Sequence, residues 1–166
     1  MDFANHPAFK HLDAAQVEDL ASACEVVERS AKQEIIRRGE RGDAVFFLLE
    51  GELEVYVDGK ERQLITALHP PAVVGEMELL TDQPRSATVA AKTDAKLLSL
   101  PFEAARERMR EGDPATLKVI GTIASILAKR LARTLDILAE IADRPTRVRS
   151  EELDDFRKKL FSDWSS

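Results

Sequence analysis

Hydrophobic residues between positions 35 and 74 recur in short runs that glycines separate, which is typical of an all-β fold. The runs are I-I-R-R-G, A-V-F-F-L-L-E-G, L-E-V-Y-V-D-G and Q-L-I-T-A-L. In the third run Leu53, Val55 and Val57 alternate with Glu or Tyr, so one face is expected to be buried and the other wet. An Asp-Gly pair at position 58 favours a two-residue hairpin. The spacing predicts strands that pair as neighbours in a barrel or sandwich.

Helical periodicity flanks this region on its N-terminal side. Asp13 with Gln16 three residues later predicts a capping box. The apolar residues that follow share one helical face and predict a packing helix: Val17, Leu20, Ala21 and Cys24. Because Cys24 is the one cysteine of the chain, we expect a buried, inert thiol and no intramolecular disulfide.

A second, longer helix is predicted over residues 114–142. It follows a cap at Asp113 and Pro114, and it stops ahead of Pro145, which gives a length of about 40 Å. Steps of three and four residues form a heptad seam: Leu117, Ile120, Ala124, Leu127, Leu131, Thr134, Leu138 and Ile141. Further apolar residues broaden that surface, so part of the helix is expected to dock on the barrel. Because one face of the helix would dock on the barrel and the heptad seam would pair with a second chain, the pattern favours a parallel homodimer.

The remaining segment, 143–166, is predicted to be a tail outside a domain spanning 1–142. It contains an S-E-E-L cap and apolar positions that fit a short amphipathic helix: Leu153, Phe156, Leu160, Phe161 and Trp164. The tail can dock on its own domain or contact a partner protein; a membrane-surface helix is less favoured because acidic and basic residues interleave. It is too short for a DNA-binding core, and thirty acidic against twenty-four basic residues do not favour DNA as a partner.

The stretch V-G-E-M-E-L-L-T-D-Q-P-R-S-A-T-V, residues 74–89, carries the candidate chemistry. Gly75 can adopt a left-handed backbone, which brings the main chain close to a ligand at the start of a short helix. Arg85, nine residues after Glu76, supplies a permanently charged, forked donor for an anion. Glu76 is suited to accept hydrogen bonds from hydroxyls or to hold that guanidinium in place. A surface ion pair beside a helix cap is the simpler reading of the same residues.

This stretch resembles the phosphate-binding cassette of cyclic nucleotide-binding domains, G-E-hydrophobic-x-L-L followed by P-R-small-A-x-V. The resemblance extends to the G-x-x-G-D turn that ends at Asp43 and to the turn at Gly51, and it implies a mainly β jelly-roll barrel with flanking helices. It also implies that Glu76 binds a ribose 2′-OH, that Arg85 binds an equatorial phosphate oxygen, and that Ser86 and the amides after Gly75 bind the phosphate. The implied ligand-binding set in the cassette is Gly75, Glu76, Met77, Glu78, Arg85, Ser86 and Ala87.

Two positions depart from the family pattern. Glu78 stands where the family usually has Ala or Gly, a position that contributes mainly its backbone amide. We therefore expect a solvent-pointing carboxylate that weakens binding through like-charge repulsion. Pro70-Pro71 replaces the usual Gly-Asp pair ahead of the cassette, which predicts a stiffer entry into it.

The resemblance also suggests a base contact on the long helix. Alignment of A-K-R-L-A-R-T-L with the family's dimer helix places Thr134 at a purine contact, with Arg133 beside it; Arg130 or Arg133 is the alternative base contact. A helical threonine that bonds its own backbone is the alternative reading of this position.

Taken together, the sequence predicts a non-catalytic cyclic nucleotide receptor, with cyclic AMP favoured over cyclic GMP. It would be cytoplasmic, would lack a cofactor, a metal and a membrane span, and would signal to an unknown partner protein through its long helix. His6 and His11 lack the spacing of metal ligands on one helical face, and no catalytic motif is found. The alternative is a degenerate module of the same fold that acts as a dimerisation or interaction scaffold. A fragment of a larger protein is a third possibility.

Overall fold

The computed structural model describes residues 6–58 and 62–143, and the described part of the chain contains eight strands and four α-helices. A 3-10 turn, Pro7–Phe9, precedes them. In chain order the elements are α1 (Ala14–Ser22), β1 (Glu25–Arg29), β2 (Glu34–Ile36), β3 (Ala44–Glu50), β4 (Leu53–Asp58), β5 (Arg62–Leu68), β6 (Ala72–Val74), α2 (Glu76–Thr81), β7 (Thr88–Ala91), β8 (Ala95–Pro101), α3 (Phe102–Arg110) and α4 (Pro114–Asp143).

The strands form two antiparallel four-stranded sheets, in the orders β1-β8-β3-β6 and β2-β7-β4-β5. This arrangement is consistent with the predicted jelly roll. As the hairpin pattern predicted, β4 pairs with β5, with Asp58 opposite Arg62. Gly59 of that predicted turn lies outside the described residues.

Both sheets contribute apolar side chains to the core. On β4, Leu53 is fully buried, and Val55 is half-buried and packs against the same cluster. The predicted alternation is only partly confirmed, because Val57 is half-buried, as are Glu54 and Tyr56 of the face expected to be wet. The buried members of this cluster are Ile36, Ala44, Phe46, Leu48, Leu53, Ala72, Val74, Val89, Ala91, Ala95 and Leu97. Burial of these side chains is the main stabilising contribution to the barrel.

The N-terminal helix confirms the predicted capping box. Oδ1 of Asp13 accepts a hydrogen bond from the Gln16 amide at 2.9 Å, and Gln16 accepts one from the Asp13 amide at 3.3 Å. The Cys24 thiol donates to the Leu20 carbonyl at 3.3 Å, and burial raises the pKa of Cys24 to about 12. Cys24 is half-buried rather than buried, and the raised pKa disfavours the reactive thiolate.

Sequence reasoning did not identify β1, β8 or α3. Strand β1 reads E-V-V-E-R, which is too short and too polar to stand out. Helix α3 is rich in helix-forming residues, but only Phe102 and Ala105 among its residues are buried, so it shows a weak apolar stripe.

The C-terminal helix α4 matches the prediction to within one residue at its end. Its N-terminus is capped by Asp113, whose Oδ2 accepts hydrogen bonds from the amide and hydroxyl of Thr116 at 2.9 and 2.6 Å. The chain divides into two compact units, Met1–Ala124 and Ser125–Ser166. The part of α4 within the first unit buries Ala115, Thr116, Val119, Thr122 and Ile123, and it contacts α3 through Thr116 and α1 through Lys118.

The predicted heptad seam is not buried within a single chain. Leu117 and Leu131 are each 47% exposed, and Leu127 and Leu138 are half-buried. The side chain of Ile141 and the tail residues 144–166 lie outside the described residues, so the homodimer and the division at residue 142 stay predictions. Among the described residues, no helix is long and apolar enough to cross a membrane.

Candidate functional site

The cassette is built from β6, α2 and the loop that leads to β7. Gly75 adopts the left-handed conformation, with φ 81°, and so turns the chain from β6 into the first turn of α2 as predicted. Asp82 ends the helix, also in a left-handed conformation, with φ 55°. A cis peptide bond joins Pro70 to Pro71 before β6. Arg85 lies in the loop three residues before β7, and not within the strand.

The guanidinium of Arg85 is fixed by main-chain carbonyl groups on two elements. Its Nη1 donates to the Gly75 carbonyl and its Nη2 to the Ala44 carbonyl, both at 2.7 Å. The residue is only 7% exposed. The cassette therefore holds a buried cation in one orientation.

The third partner of this cation is Glu78. Nε of Arg85 lies 3.1 Å from Oε2 of Glu78, and the two carboxylate oxygens accept hydrogen bonds from the Gly42 amide at 3.1 and 2.9 Å. Glu78 is 3% exposed. The expectation of a solvent-pointing carboxylate is therefore wrong: the side chain turns inward because it finds both a cation and a main-chain donor there.

Two glycines permit this arrangement by close approach. A Cβ on Gly42 would stand 2.0 Å from Nη2 of Arg85, and one on Gly75 would stand 2.3 Å from Nη1. Any side chain at either position would displace the guanidinium. The Phe102 ring covers the cation from another side, with its centroid 5.1 Å from the guanidinium carbon.

Electrostatics around Arg85 combine burial with several acidic groups. Burial lowers the pKa of the Arg85 guanidinium, while Glu78, Asp43 and Glu76 act in the opposite direction, in that order of size. One buried cation thus interacts with three carboxylates. Glu76, at the first position of α2, is 5% exposed, so its carboxylate is held inside the cassette.

The outer part of the cassette brings Met77 and Ser86 together. The Ser86 hydroxyl donates to the Met77 sulfur at 3.3 Å, Met77 is 46% exposed, and Ala87 is half-buried next to Ser86 in the chain. These predicted contacts thus lie at the surface of the cassette.

Ionic contacts connect the end of α2 with its surroundings. Arg41 donates to the Asp82 carbonyl at 2.7 Å, and Arg106 of α3 lies 3.0 Å from the Asp82 carboxylate. Nη1 of Arg41 also lies 3.9 Å from Oε1 of Glu78. Glu78 therefore has a second cation beside it, one that is mostly solvent-exposed.

The two predicted base-contact residues belong to the second unit of the chain. Arg133 and Thr134 are both exposed on α4, and the Thr134 hydroxyl donates to the Arg130 carbonyl at 2.9 Å. That bond is the backbone contact that a helical threonine commonly makes. A role for Thr134 or Arg133 in binding a base stays a prediction.

Comparison with known proteins gives the site its context. The family profile described as "Cyclic nucleotide-binding domain" matches residues 26–112, which is more than half of the chain. The chain belongs to the cyclic nucleotide-binding domain family. The matched range includes the whole cassette and ends before Arg133 and Thr134.

Similar proteins include members of different classes. A cAMP-dependent protein kinase regulatory subunit from Dictyostelium discoideum is 33% identical over 96 residues, which cover 55% of this chain and 29% of the relative. A cyclic nucleotide-gated potassium channel from Mesorhizobium japonicum is 38% identical over 94 residues, covering 57% and 25%. The chain thus spans about a quarter of the length of these curated relatives. The crystal structure of the Thermus thermophilus catabolite activator protein superposes with a TM-score of 0.70 at 25% identity, covering 82% of this chain and 62% of that one.

Sequence reasoning missed several residues that shape this cyclic nucleotide-binding cassette. Gly42 and Asp43 were read as a barrel turn, although Gly42 binds Glu78 and Asp43 acts electrostatically on Arg85. The Gly42-Asp43 pair of the G-x-x-G-D motif was the available signal, because a glycine can mark a point where the main chain closely approaches another group. Nothing in the local pattern marks Ala44 or Phe102, because they reach Arg85 through tertiary structure.

Proposed function

We propose that this chain is a non-catalytic cyclic nucleotide receptor, with cyclic AMP as the first ligand to test and cyclic GMP as the second. The observation that carries the proposal is the fixed, buried guanidinium of Arg85, held by the carbonyls of Gly75 and Ala44 inside a cassette of this family. The names of two relatives, a cAMP-dependent kinase subunit and a cyclic nucleotide-gated channel, support a ligand of this class.

In the proposed complex, Arg85 binds an equatorial oxygen of the cyclic phosphate through charge-assisted hydrogen bonds. Glu76 accepts a hydrogen bond from the ribose 2′-OH, to which an ionised carboxylate is suited. The backbone amides of the first turn of α2 and the Ser86 hydroxyl complete the phosphate contacts. Ser86 is exposed, so this donor is accessible to a ligand.

The signal is proposed to leave through α4. Thr134, with Arg133 beside it, contacts the purine base, and the exposed seam containing Leu117 and Leu131 pairs two chains as a parallel homodimer. A ligand that contacts both cassette and helix favours one arrangement of the two by its differential affinity. A partner protein then reads the position of the helix or of the tail.

Titration calorimetry with cyclic AMP, cyclic GMP and 5′-AMP tests the ligand. We expect one site per chain for a cyclic nucleotide, weaker binding of 5′-AMP, and loss of binding in Arg85→Ala. Arg110→Ala, which removes an exposed arginine of α3, is the matched control and should bind like the parent chain. At one hundred times the dissociation constant, the ligand should stabilise the fold by about 2.7 kcal/mol. Binding that survives Arg85→Ala would overturn the assignment.

A second function is favoured by the same cation. Arg85 already has a carboxylate partner from its own chain, Glu78, which is the arrangement expected of a purely structural buried pair. In that case the module serves as a dimerisation or interaction scaffold, and no cyclic nucleotide binds to the parent chain or to any Glu78 variant.

A further inference from the structure

The carboxylate of Glu78 makes a direct ionic contact with the Arg85 guanidinium. Nε of Arg85 is 3.1 Å from Oε2 of Glu78, while Nη1 and Nη2 donate to main-chain carbonyls. Three N–H groups of the guanidinium are therefore engaged by the chain itself. Of these three partners, only the Glu78 side chain can leave without moving the backbone.

We propose, as an extension that rests on the proposed function, that Glu78 competes internally with the ligand. Its carboxylate occupies the anion position on Arg85, so a cyclic phosphate must displace it before it can bind. Glu78 thereby determines how tightly this chain holds a cyclic nucleotide, and it disfavours the phosphate rather than the sugar or the base.

The charges around Arg85 make simultaneous binding unfavourable. Glu78, Asp43 and Glu76 already interact with this one cation, and a cyclic phosphodiester brings a further negative charge. Two anions on one buried guanidinium repel each other strongly, because water does not screen them there. The phosphate and the Glu78 carboxylate therefore compete for this cation.

Displacement of Glu78 is physically possible because another cation lies next to it. Arg41 has its Nη1 3.9 Å from Oε1 of Glu78 and its side chain is 62% exposed. A carboxylate that leaves Arg85 can keep Arg41 as an ionic partner and gain water. Displacement then costs the contact with Arg85 and the bifurcated hydrogen bond from the single N–H of Gly42.

Two substitutions separate charge from size. Glu78→Ala removes the competitor and restores the residue type usual in the family at this position. Glu78→Gln keeps the size and an oxygen that can accept from Gly42, but it removes the charge. Because a charge-assisted hydrogen bond contributes on the order of ten- to a hundredfold in binding, we expect about that gain in cyclic AMP affinity for Glu78→Ala and a smaller gain for Glu78→Gln.

The experiment is titration calorimetry of the full chain and of both variants with cyclic AMP, cyclic GMP and adenosine. Glu107→Ala, an exposed carboxylate of α3, is the matched control. Circular dichroism without ligand establishes that each variant folds, and Glu78→Gln covers the case in which Glu78→Ala does not. Adenosine lacks the phosphate, so its affinity should not change.

The outcomes distinguish the two proposals. Tighter cyclic nucleotide binding with unchanged adenosine binding supports the role of Glu78. Equal affinities in the parent chain and both variants overturn that role and leave the receptor standing. A gain shared equally by adenosine overturns it as well, since the effect would not concern the phosphate. No cyclic nucleotide binding to any of the three chains overturns the receptor and the competition together.

Discussion

Arg85 and Glu78 form a buried ion pair, with Nε and Oε2 3.1 Å apart and neither residue more than 7% exposed. The pair joins the loop before β7 to α2, and the Gly42 amide attaches it to the turn before β3. A cation that a ligand is expected to use is thus part of the folded core of the cassette. Under the proposed function, stability and ligand binding depend on the same residue pair.

The first prediction concerns the stability of this pair. Arg85→Ala leaves Glu78 buried without its cation, so we expect a loss of about 3–5 kcal/mol in the free energy of unfolding. The double variant Arg85→Ala with Glu78→Ala should lose less than the sum of the single variants, with a coupling of about 0.5–3 kcal/mol. Urea unfolding of the four chains measures this cycle. Strict additivity would mean that the two side chains do not interact.

The second prediction concerns Gly42. In Gly42→Ala the new Cβ would stand 2.0 Å from Nη2 of Arg85, so the guanidinium has to move, at a cost of about 1–3 kcal/mol of stability. Gly121→Ala is the matched control, because its Cβ meets nothing within 4 Å and it lies within α4. There we expect a gain of about 0.5–1 kcal/mol from helix propensity. Both changes in stability can be measured from the midpoint of urea unfolding. An unchanged midpoint for Gly42→Ala would contradict the close packing of Gly42 against Arg85.

The third prediction concerns pH and His6. Its Nδ1 accepts from the Ala8 amide and its Nε2 donates to the Ala72 carbonyl, each at 3.2 Å, so the folded protein requires the neutral ring. Burial lowers the pKa of His6 from its usual 6.5, an effect that the Ala72 hydrogen bond only partly opposes. As the pH falls below 6.5, His6 takes up a proton in the unfolded chain but not yet in the folded chain, where its pKa is lower. Stability is therefore complete above that pH and declines below it, by at most about 1.4 kcal/mol per pH unit.

Thermal unfolding of the parent chain, His6→Gln and His11→Gln at several pH values between 7.5 and 5 isolates the contribution of His6 to stability. The parent chain and His11→Gln, which changes an exposed ring, should lose stability together. His6→Gln should lose less over the same interval. Equal slopes in all three chains would exclude His6 as the titrating group.

The fourth prediction concerns the seam of α4. Leu131 is 47% exposed in a single chain, so Leu131→Glu should change little in the monomer but place a charge inside a coiled-coil dimer. Ala132→Glu, on the neighbouring exposed position outside the seam, is the control. Sedimentation equilibrium should show a dimer for the parent chain and the control, and a monomer for Leu131→Glu. A parent chain that is monomeric at micromolar concentration would refute dimerisation through the seam.

How far the sequence determines this structure depends on the range of the interactions. The capping box of Asp13, the left-handed turn at Gly75 and the extent of α4 are set by residues within four positions, and the sequence predicted all three. The family resemblance then placed Arg85 and Glu76 in one cassette. Local patterns and a motif together were sufficient for the fold class and for the identity of the cation, although they did not reveal β1, β8 or α3.

The partners of that cation could not be predicted in the same way. Glu78 was expected to face solvent because the family position that it occupies contributes mainly its backbone amide. It is buried because the Gly42 amide and Arg85, which are 36 residues upstream and seven residues downstream in the sequence, offer it hydrogen bonds at the same place. The covering ring of Phe102 depends on contacts just as distant. Contacts of this kind arise from the tertiary structure and leave no pattern in the local sequence.

The most direct test of the central claim is a crystal structure of the full chain with cyclic AMP, or with cyclic GMP if calorimetry favours it. The account predicts an equatorial phosphate oxygen within hydrogen-bond distance of the Arg85 guanidinium, the ribose 2′-OH on Glu76, and the Glu78 carboxylate turned away from Arg85. A bound nucleotide that leaves the Arg85–Glu78 pair intact, or that lies outside the cassette, would contradict it.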